Sequence, residues 1–231
     1  SVGENMGTLT ANGEIDYSTA GIGSEVGDSG GTITINGGSV TASGGQDAAG
    51  IGGSQDGSGG NIIIHGGTVK ATGGENAAGI GGSDGSSGTI TIHGGTVEAI
   101  GGTFAAGIGG GLGGSVDTIS IHGGSVTASG GDHGAGIGGG YGASGGIITI
   151  HGGTVKATGG DYGAGIGGGF QAADSGSFAT GTDGHALIFA NGGISDTSNR
   201  DSWSGIIFEG NDGKVYGNPT IQENIEIPSG K

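Results

Sequence analysis

Two aspartates in the C-terminal half are the residues best placed for acid–base chemistry. Asp132 and Asp161 each stand five residues before the isoleucine of an Ala-Gly-Ile motif, and these two motifs are 29 residues apart. If each motif belongs to one coil of stacked strands, the carboxylates lie about 4.8 Å apart, which is close to the separation in a retaining glycosidase. A polysaccharide hydrolase or lyase is therefore one hypothesis, and a solvated or cation-bridged pair is the simpler interpretation that we favour.

Aromatic side chains accumulate around these aspartates toward the C-terminal repeats. Four residues before the motif isoleucine the chain changes from Ser, Asp and Asn to aromatic types, and four residues after it the same change occurs. Glycine separates the two positions and lets a ligand approach the backbone closely. We expect a shallow glycine-floored groove that binds sugars, because flat apolar faces beside a few polar groups are typical of binding sites. Its residues would be Phe104, Asp132, His133, Tyr141, Asp161, Tyr162 and Phe170. The alternative is that these rings only cover a thinning core.

A column of four histidines could bind metal or perform catalysis, but it also fits a structural role. His65, His93, His122 and His151 each precede Gly-Gly, and Asn36 heads the column. Histidine and asparagine tolerate left-handed backbone better than most residues, so we expect a ladder at a corner. Like charges disfavour protonation, and we therefore expect these imidazoles to be neutral at pH 7.

Acidic residues also occur in the glycine-rich turns. Carboxylate oxygens suit calcium, and aspartate and glycine are equally common in plain tight turns. The candidate calcium ligands are Asp28, Asp56, Asp84 and Asp174, which do not form one clean column. No motif requires a cofactor, so calcium is the one candidate.

The elements that position all these residues follow from a strict repeat. The segment Ile33 to Val40 recurs at Ile62, Ile90, Ile119 and Ile148, with a period of about 29 residues. Isoleucine, valine and alanine alternate with threonine and serine, which predicts short strands with one buried face. One unit cannot bury its own isoleucines, whereas stacked units can. The sequence therefore predicts an all-β, right-handed parallel β-helix of seven to eight coils, since parallel crossovers are overwhelmingly right-handed.

The repeat predicts four segments along the chain. Residues 1–170 hold the β-helix repeats, and residues 171–185 are a polar, glycine-rich insertion. Residues 186–217 form the last irregular coils and a cap, to which Trp203, Phe208 and Tyr216 contribute bulky rings. Residues 218–231 begin a following element.

Composition excludes several classes of function. The formal net charge is −16, with only five Lys and Arg, so the phosphate contacts of a nucleic-acid binder and those of an anionic membrane surface are not supplied. There is no cysteine, and no apolar run is long enough for membrane insertion. Threonine rows such as Thr32, Thr89 and Thr118 suggest ice binding as a minor alternative. The oligomeric state stays open.

The unit Ala-Gly-Ile-Gly-Gly…Ile-Thr-Ile-His-Gly-Gly-Thr-Val over residues 20–170 resembles repeats in large secreted or wall-bound proteins of Gram-positive, often gut-associated bacteria, which are commonly labelled as carbohydrate-binding or β-helix-repeat proteins. The resemblance implies an extracellular or cell-wall-attached location and a parent protein with several modules. It supplies no catalytic residues. We therefore expect a polysaccharide or a cell-surface glycan as the partner of a binding or adhesion module, with a structural stalk as the alternative.

Overall fold

The computed structural model describes residues 7–14, 18–195, 206–209 and 214–216, and these contain nineteen β-strands. Each coil contributes a Thr-Ile-Thr-Ile strand, a Ser-Val-Thr-Ala-Ser strand and a two-residue Ile-Gly strand. The strands are β1 (Thr8–Asn12), β2 (Ile22–Gly23), β3 (Thr32–Ile35), β4 (Ser39–Ser43), β5 (Ile51–Gly52), β6 (Asn61–Ile64), β7 (Thr68–Thr72), β8 (Ile80–Gly81), β9 (Thr89–Ile92), β10 (Thr96–Ile100), β11 (Ile108–Gly109), β12 (Thr118–Ile121), β13 (Ser125–Ser129), β14 (Ile137–Gly138), β15 (Ile147–Thr158), β16 (Ile166–Gly167), β17 (Ser177–Asn191), β18 (Ile206–Glu209) and β19 (Lys214–Tyr216).

Strands of the same type pair in parallel between successive coils, as the repeat predicts. The Ile-Gly strands form a six-stranded sheet, and the two longer types form a thirteen-stranded sheet that β15 makes continuous by running through both positions. The fold is a parallel β-solenoid of about six turns with a period near 29 residues. The expected seven to eight coils are slightly too many. The strand β1 and the segment after Ile188 belong to irregular turns at the two ends of the solenoid, and they do not add whole coils.

The core is a set of stacked columns of identical side chains. Ile92, Val97, Ala99 and Ile108 of one coil are all 0–1% exposed, and their counterparts in neighbouring coils lie directly above and below them. Burying an isoleucine contributes about 1.5–3 kcal/mol, so each added coil extends a core that a single coil cannot form.

Glycine is required where the backbones of adjacent coils touch. Gly138 of the Ile-Gly column has a φ of +133°, and a Cβ at this position would lie 1.9 Å from the carbonyl oxygen of Gly167. At the corner after the first strand, the second glycine of Gly-Gly adopts the left-handed backbone, as Gly67 does with a φ of +91°. The expectation that histidine or asparagine takes this conformation is wrong, since none of the ladder residues has a positive φ.

The C-terminal turn departs from the repeat over only a part of the predicted insertion, residues 171–185. Residues 171–176 occupy the turn that every coil has here, and residues 177–185 already belong to β17, so 171–185 is not an inserted loop. The excess is three residues, because four residues, 181–184, stand opposite the single residue His151 between the pairs Ile150–Thr180 and Gly152–His185. The next corner is shortened instead, because Ala190 and the bridge residue Ile194 are only four positions apart.

The solenoid ends in a short hairpin. Strand β18 continues the parallel stacking on β17, and β19 then pairs with β18 in the antiparallel direction. Phe208 and Tyr216, which the sequence assigns to a cap, lie in these two strands. Trp203 and residues 218–231 lie outside the described residues.

Candidate functional site

The loop between the second strand and the Ile-Gly strand carries one outward side chain per coil, four residues before the motif isoleucine. In the N-terminal coils this column is a hydrogen-bond ladder, in which Asp47 accepts from the Ser18 hydroxyl at 3.3 Å and from the Asn76 amide at 2.6 Å. In the C-terminal coils it becomes a stack of rings. The Phe104–His133 and His133–Tyr162 ring centroids are 5.1 and 5.2 Å apart, with interplanar angles of 20° and 19°.

The second aromatic column lies directly against the first. The backbone N–H of Tyr141 donates to the carbonyl oxygen of Phe104 at 2.8 Å, and that of Phe170 donates to His133 at 2.9 Å. The rings of Tyr141 and Phe170 therefore reach the stack, with Phe104–Tyr141 and Tyr162–Phe170 centroid distances of 6.1 and 5.1 Å. The expectation of a groove between two aromatic walls is wrong, because the walls touch. The five rings form one cluster, which we call the aromatic corner: Phe104, His133, Tyr141, Tyr162 and Phe170.

His133 occupies the centre of the aromatic corner. Its ring contacts those of Phe104, Tyr141, Tyr162 and Phe170. Its Nδ1 atom is buried and has no hydrogen-bond partner among the described residues, an arrangement that costs about 1–3 kcal/mol for a typical polar group. Contact with the surrounding rings therefore fixes the position of this side chain.

Exposure differs sharply among the five rings. Tyr162 is 60% exposed, whereas the other four rings are half-buried. The cause is the shortened corner of the next turn: nine positions separate Ala157 from Ile166, but only four separate Ala190 from Ile194. The described part of that turn has no residue equivalent to Tyr162, so no further ring of the repeat stacks on it there.

Hydrogen bonding beyond the rings involves a residue that sequence analysis missed. The Tyr141 hydroxyl donates to Gln171 Oε1 at 2.8 Å, which ties this ring to the following turn. The Asp47–Asn76 ladder was also not anticipated, although the alignment of these residues at one position of the repeat is a signal that could have revealed it.

Asp132 and Asp161 stand beside the stacked rings at the same position of adjacent coils. Both side chains are exposed, and the Tyr162 N–H donates to the Asp132 carbonyl oxygen at 3.0 Å. Among the described residues the one Lys or Arg salt bridge joins Lys70 to Glu98, so neither aspartate is paired with a cation there. The two carboxylates share the same exposed surroundings, whereas an acid–base pair is usually built from two different environments.

The histidine column forms the ladder that the sequence predicts. Centroid distances along His65, His93, His122 and His151 are 4.9, 5.0 and 4.5 Å, and adjacent planes lie within 13° of parallel. Desolvation, followed by repulsion from His151 and His93, lowers the pKa of His122 from its ordinary 6.5. For His122 this direction agrees with the expectation of a neutral imidazole at pH 7, and neutrality of the whole ladder stays a prediction.

The acidic turn residues serve as hydrogen-bond acceptors for the backbone. Asp84 Oδ1 accepts from the N–H of Asp56 on the preceding coil at 2.7 Å, and Asp174 Oδ1 accepts from Gly176 at 3.0 Å. Asp28 is exposed in its own turn. Within the described ranges, no three His, Cys, Asp or Glu side chains converge as a metal site. Calcium at these turns stays a prediction.

The outward threonines are aligned but interrupted. Thr32, Thr89 and Thr118 share one row with Asn61 and Ile147. The hydroxyl array on this strand is therefore not continuous.

Five segments of the chain match the model of a protein family described as Beta helix repeat: residues 33–55, 62–84, 90–112, 119–141 and 148–170. Each match begins at the first isoleucine of a coil and ends at the position that Tyr141 and Phe170 occupy in the last two. No curated protein and no solved structure matches the chain. The described residues form no helix that is long and apolar enough to cross a membrane.

Proposed function

Because this chain is a β-helix repeat protein, we propose that it is a non-catalytic glycan-binding or adhesion module, with the aromatic corner as its binding site. The observation that carries the proposal is the 60% exposure of Tyr162 at the end of a stacked column of rings. Tyr162 combines an exposed flat ring, backed by packed rings, with the neighbouring exposed carboxylates of Asp132 and Asp161, and an apolar face beside a few polar groups is typical of ligand sites.

The chemistry of the corner suits a sugar. The apolar face of a pyranose can stack on the Tyr162 ring, which His133 and Phe170 hold in place from behind. The exposed carboxylates of Asp132 and Asp161 can accept hydrogen bonds from sugar hydroxyls, and hydrogen bonds to charged groups contribute about 1.5–3 kcal/mol when well formed. Ring contacts with His133 and Phe170 already restrict the Tyr162 side chain, which lowers the ordering entropy that binding must offset.

The location we propose is extracellular or attached to a bacterial cell wall, in a parent protein with several modules. This rests on the resemblance of the repeats to those of secreted and wall-bound proteins. A polysaccharide or a cell-surface glycan would then be the natural partner, and a net charge of −16 argues against phosphate-rich partners.

A structural stalk is the second candidate, favoured by a separate observation. The core columns continue through successive coils in a constant register, and the stacked histidines repeat on every coil from His65 to His151. A rod of this kind can act as a spacer without any ligand. The two candidates differ in whether Tyr162 has a specific binding role.

A glycan array with matched variants separates them. We expect specific binding by the intact chain, loss of binding in Tyr162→Ala, and retention in Tyr162→Phe, which preserves the ring. Ile147→Ala is the matched control, because Ile147 is 56% exposed on a strand away from the rings. Running each array with calcium and with a chelator tests the acidic turns. Binding that Tyr162→Ala leaves intact would place the site elsewhere, and no binding to any glycan would favour the stalk.

A further inference from the structure

The stacked rings present one open face, and this restricts how a ligand can bind. His133 covers one face of Tyr162 at 5.2 Å, and Phe170 leans on it at 5.1 Å with a 49° tilt. His133 lies between Phe104 and Tyr162 in the stack, and both Phe104 and His133 are half-buried. Because the following turn lacks the equivalent loop, the free face of Tyr162 points along the solenoid axis toward the C-terminal turn.

Among the described residues, the charged side chains that flank the stacked ring of Tyr162 are carboxylates. Asp161 directly precedes Tyr162, and Asp132 lies one coil away, about 4.8 Å along the axis. Both carboxylates are exposed, and no Lys or Arg of the described chain pairs with either. In contrast, Lys70 and Glu98, on the outer face of neighbouring strands, neutralise each other at 3.1 Å.

We propose that the aromatic corner selects glycans whose sugars carry a free, protonated amine. The proposal rests on the proposed function and names its ligand class. An ammonium group on a pyranose that stacks on the open face of Tyr162 lies beside the exposed Asp161 carboxylate. The Asp132 carboxylate lies one coil behind that face and adds a longer-range attraction. The tyrosine π-system attracts the same positive charge, so one ligand satisfies both the ring and the acidic groups.

Other classes of sugar satisfy only part of the site. A neutral sugar can stack on Tyr162 and donate hydroxyl hydrogen bonds, but it leaves the charge of the carboxylates without a counterpart. A uronic acid or a sulfated sugar adds like charge beside two carboxylates and is repelled. Since exposed ion pairs contribute modestly, we expect a preference of roughly two- to fivefold for an amine over its acetylated form.

The test compares three oligosaccharides of equal length and linkage by isothermal titration calorimetry. These are β-1,4-linked glucosamine, its N-acetylated form and glucose, each titrated into the full chain at low and at high salt. We expect the free-amine oligomer to bind roughly two- to fivefold more tightly than the other two, and the advantage to shrink at high salt because salt screens exposed charges.

Variants assign that advantage to the carboxylates. The double variant Asp132→Asn/Asp161→Asn keeps the shape of both side chains and should make the free-amine and the acetylated oligomers bind with equal affinity, because the lost hydroxyl hydrogen bonds affect both oligomers alike. Glu75→Gln is the matched control, because Glu75 is exposed at the same position of a more N-terminal coil that carries Asn76 in place of a ring. It should retain the full preference.

The outcomes separate this inference from the proposed function. Equal affinity for all three oligomers, with binding still lost in Tyr162→Ala, would overturn amine selectivity and leave glycan binding standing. A preference that survives the double aspartate variant would also overturn the inference. Absence of binding to every oligomer here, together with a blank glycan array, would overturn both.

Discussion

Acidification is expected to destabilise the solenoid through its histidine ladder. The pKa of His122 in the folded chain lies below its ordinary value of 6.5, because the ring is partly desolvated and has His151 and His93 as neighbours. The unfolded chain therefore binds protons at a higher pH than the folded chain does. The stabilising contribution is complete above about pH 6.5 and is lost as the pH falls below that value toward the folded pKa.

The ring spacing sets the size of the effect. Imidazolium charges 4.5–5.0 Å apart repel by about 0.9 kcal/mol per adjacent pair at the dielectric constant of water. Three adjacent pairs would give about 2–3 kcal/mol when the ladder is fully charged at low salt. The rings are largely exposed, so screening at physiological ionic strength reduces the expected loss to roughly 1–2 kcal/mol.

The assay is urea denaturation across a pH series, with a variant that removes the ladder as the reference. His93→Asn/His122→Asn breaks every adjacent pair and uses the residue type found at Asn36, the head of the same column. All other ionisable groups are the same in the two proteins. The difference between the free energies of unfolding of the two proteins therefore isolates the ladder. It should change by roughly 1–2 kcal/mol in favour of the variant between neutral and acidic pH. Identical pH dependence in the two proteins, or NMR titration showing most ladder histidines protonated at pH 7, would refute this reasoning.

Two further predictions concern the core and the glycine columns. Gly138→Ala should lower the free energy of unfolding by roughly 2–5 kcal/mol, because its Cβ would lie 1.9 Å from the Gly167 oxygen at a left-handed φ. Gly142 has a φ of +72° but open space around it, so Gly142→Ala should lower the free energy of unfolding only by the backbone strain of about 1–2 kcal/mol. Ile121→Ala should cost about 2–5 kcal/mol because the side chain is fully buried, whereas Ile147→Ala should stay within about 0.5 kcal/mol. Urea denaturation measures all four, and equal losses in either pair would contradict the assigned packing.

The period of the sequence determines most of the fold. Recurrence near 29 residues fixes which residues stack, and every core column from Ile35 to Ile150 follows from it. The histidine ladder was predictable for the same reason, since identical positions of adjacent coils lie one strand spacing apart. Stacking along the axis repeats the same side-chain contacts in every coil, so the periodic pattern of residue types in one sequence is enough to predict it.

Only the tertiary structure decided how positions meet across a coil. The period does not show that Tyr141 touches Phe104 of the preceding coil, because this contact depends on the path of the chain through the glycine corner and back. The expected groove therefore became a packed cluster. Gly67, and not His65, adopts the left-handed backbone at the corner, since glycine enters this conformation with less steric strain than histidine. Tyr162 is exposed because the last turn has no equivalent loop after Ala190. In that turn Ile194 pairs with Ile166 of the previous coil, although the spacing of the repeat predicts a pairing residue later in the chain. Sequence periodicity thus determined the order of the columns, and the non-repeating turns, whose paths depend on the backbone contacts they make, decided which aromatic side chain is left exposed.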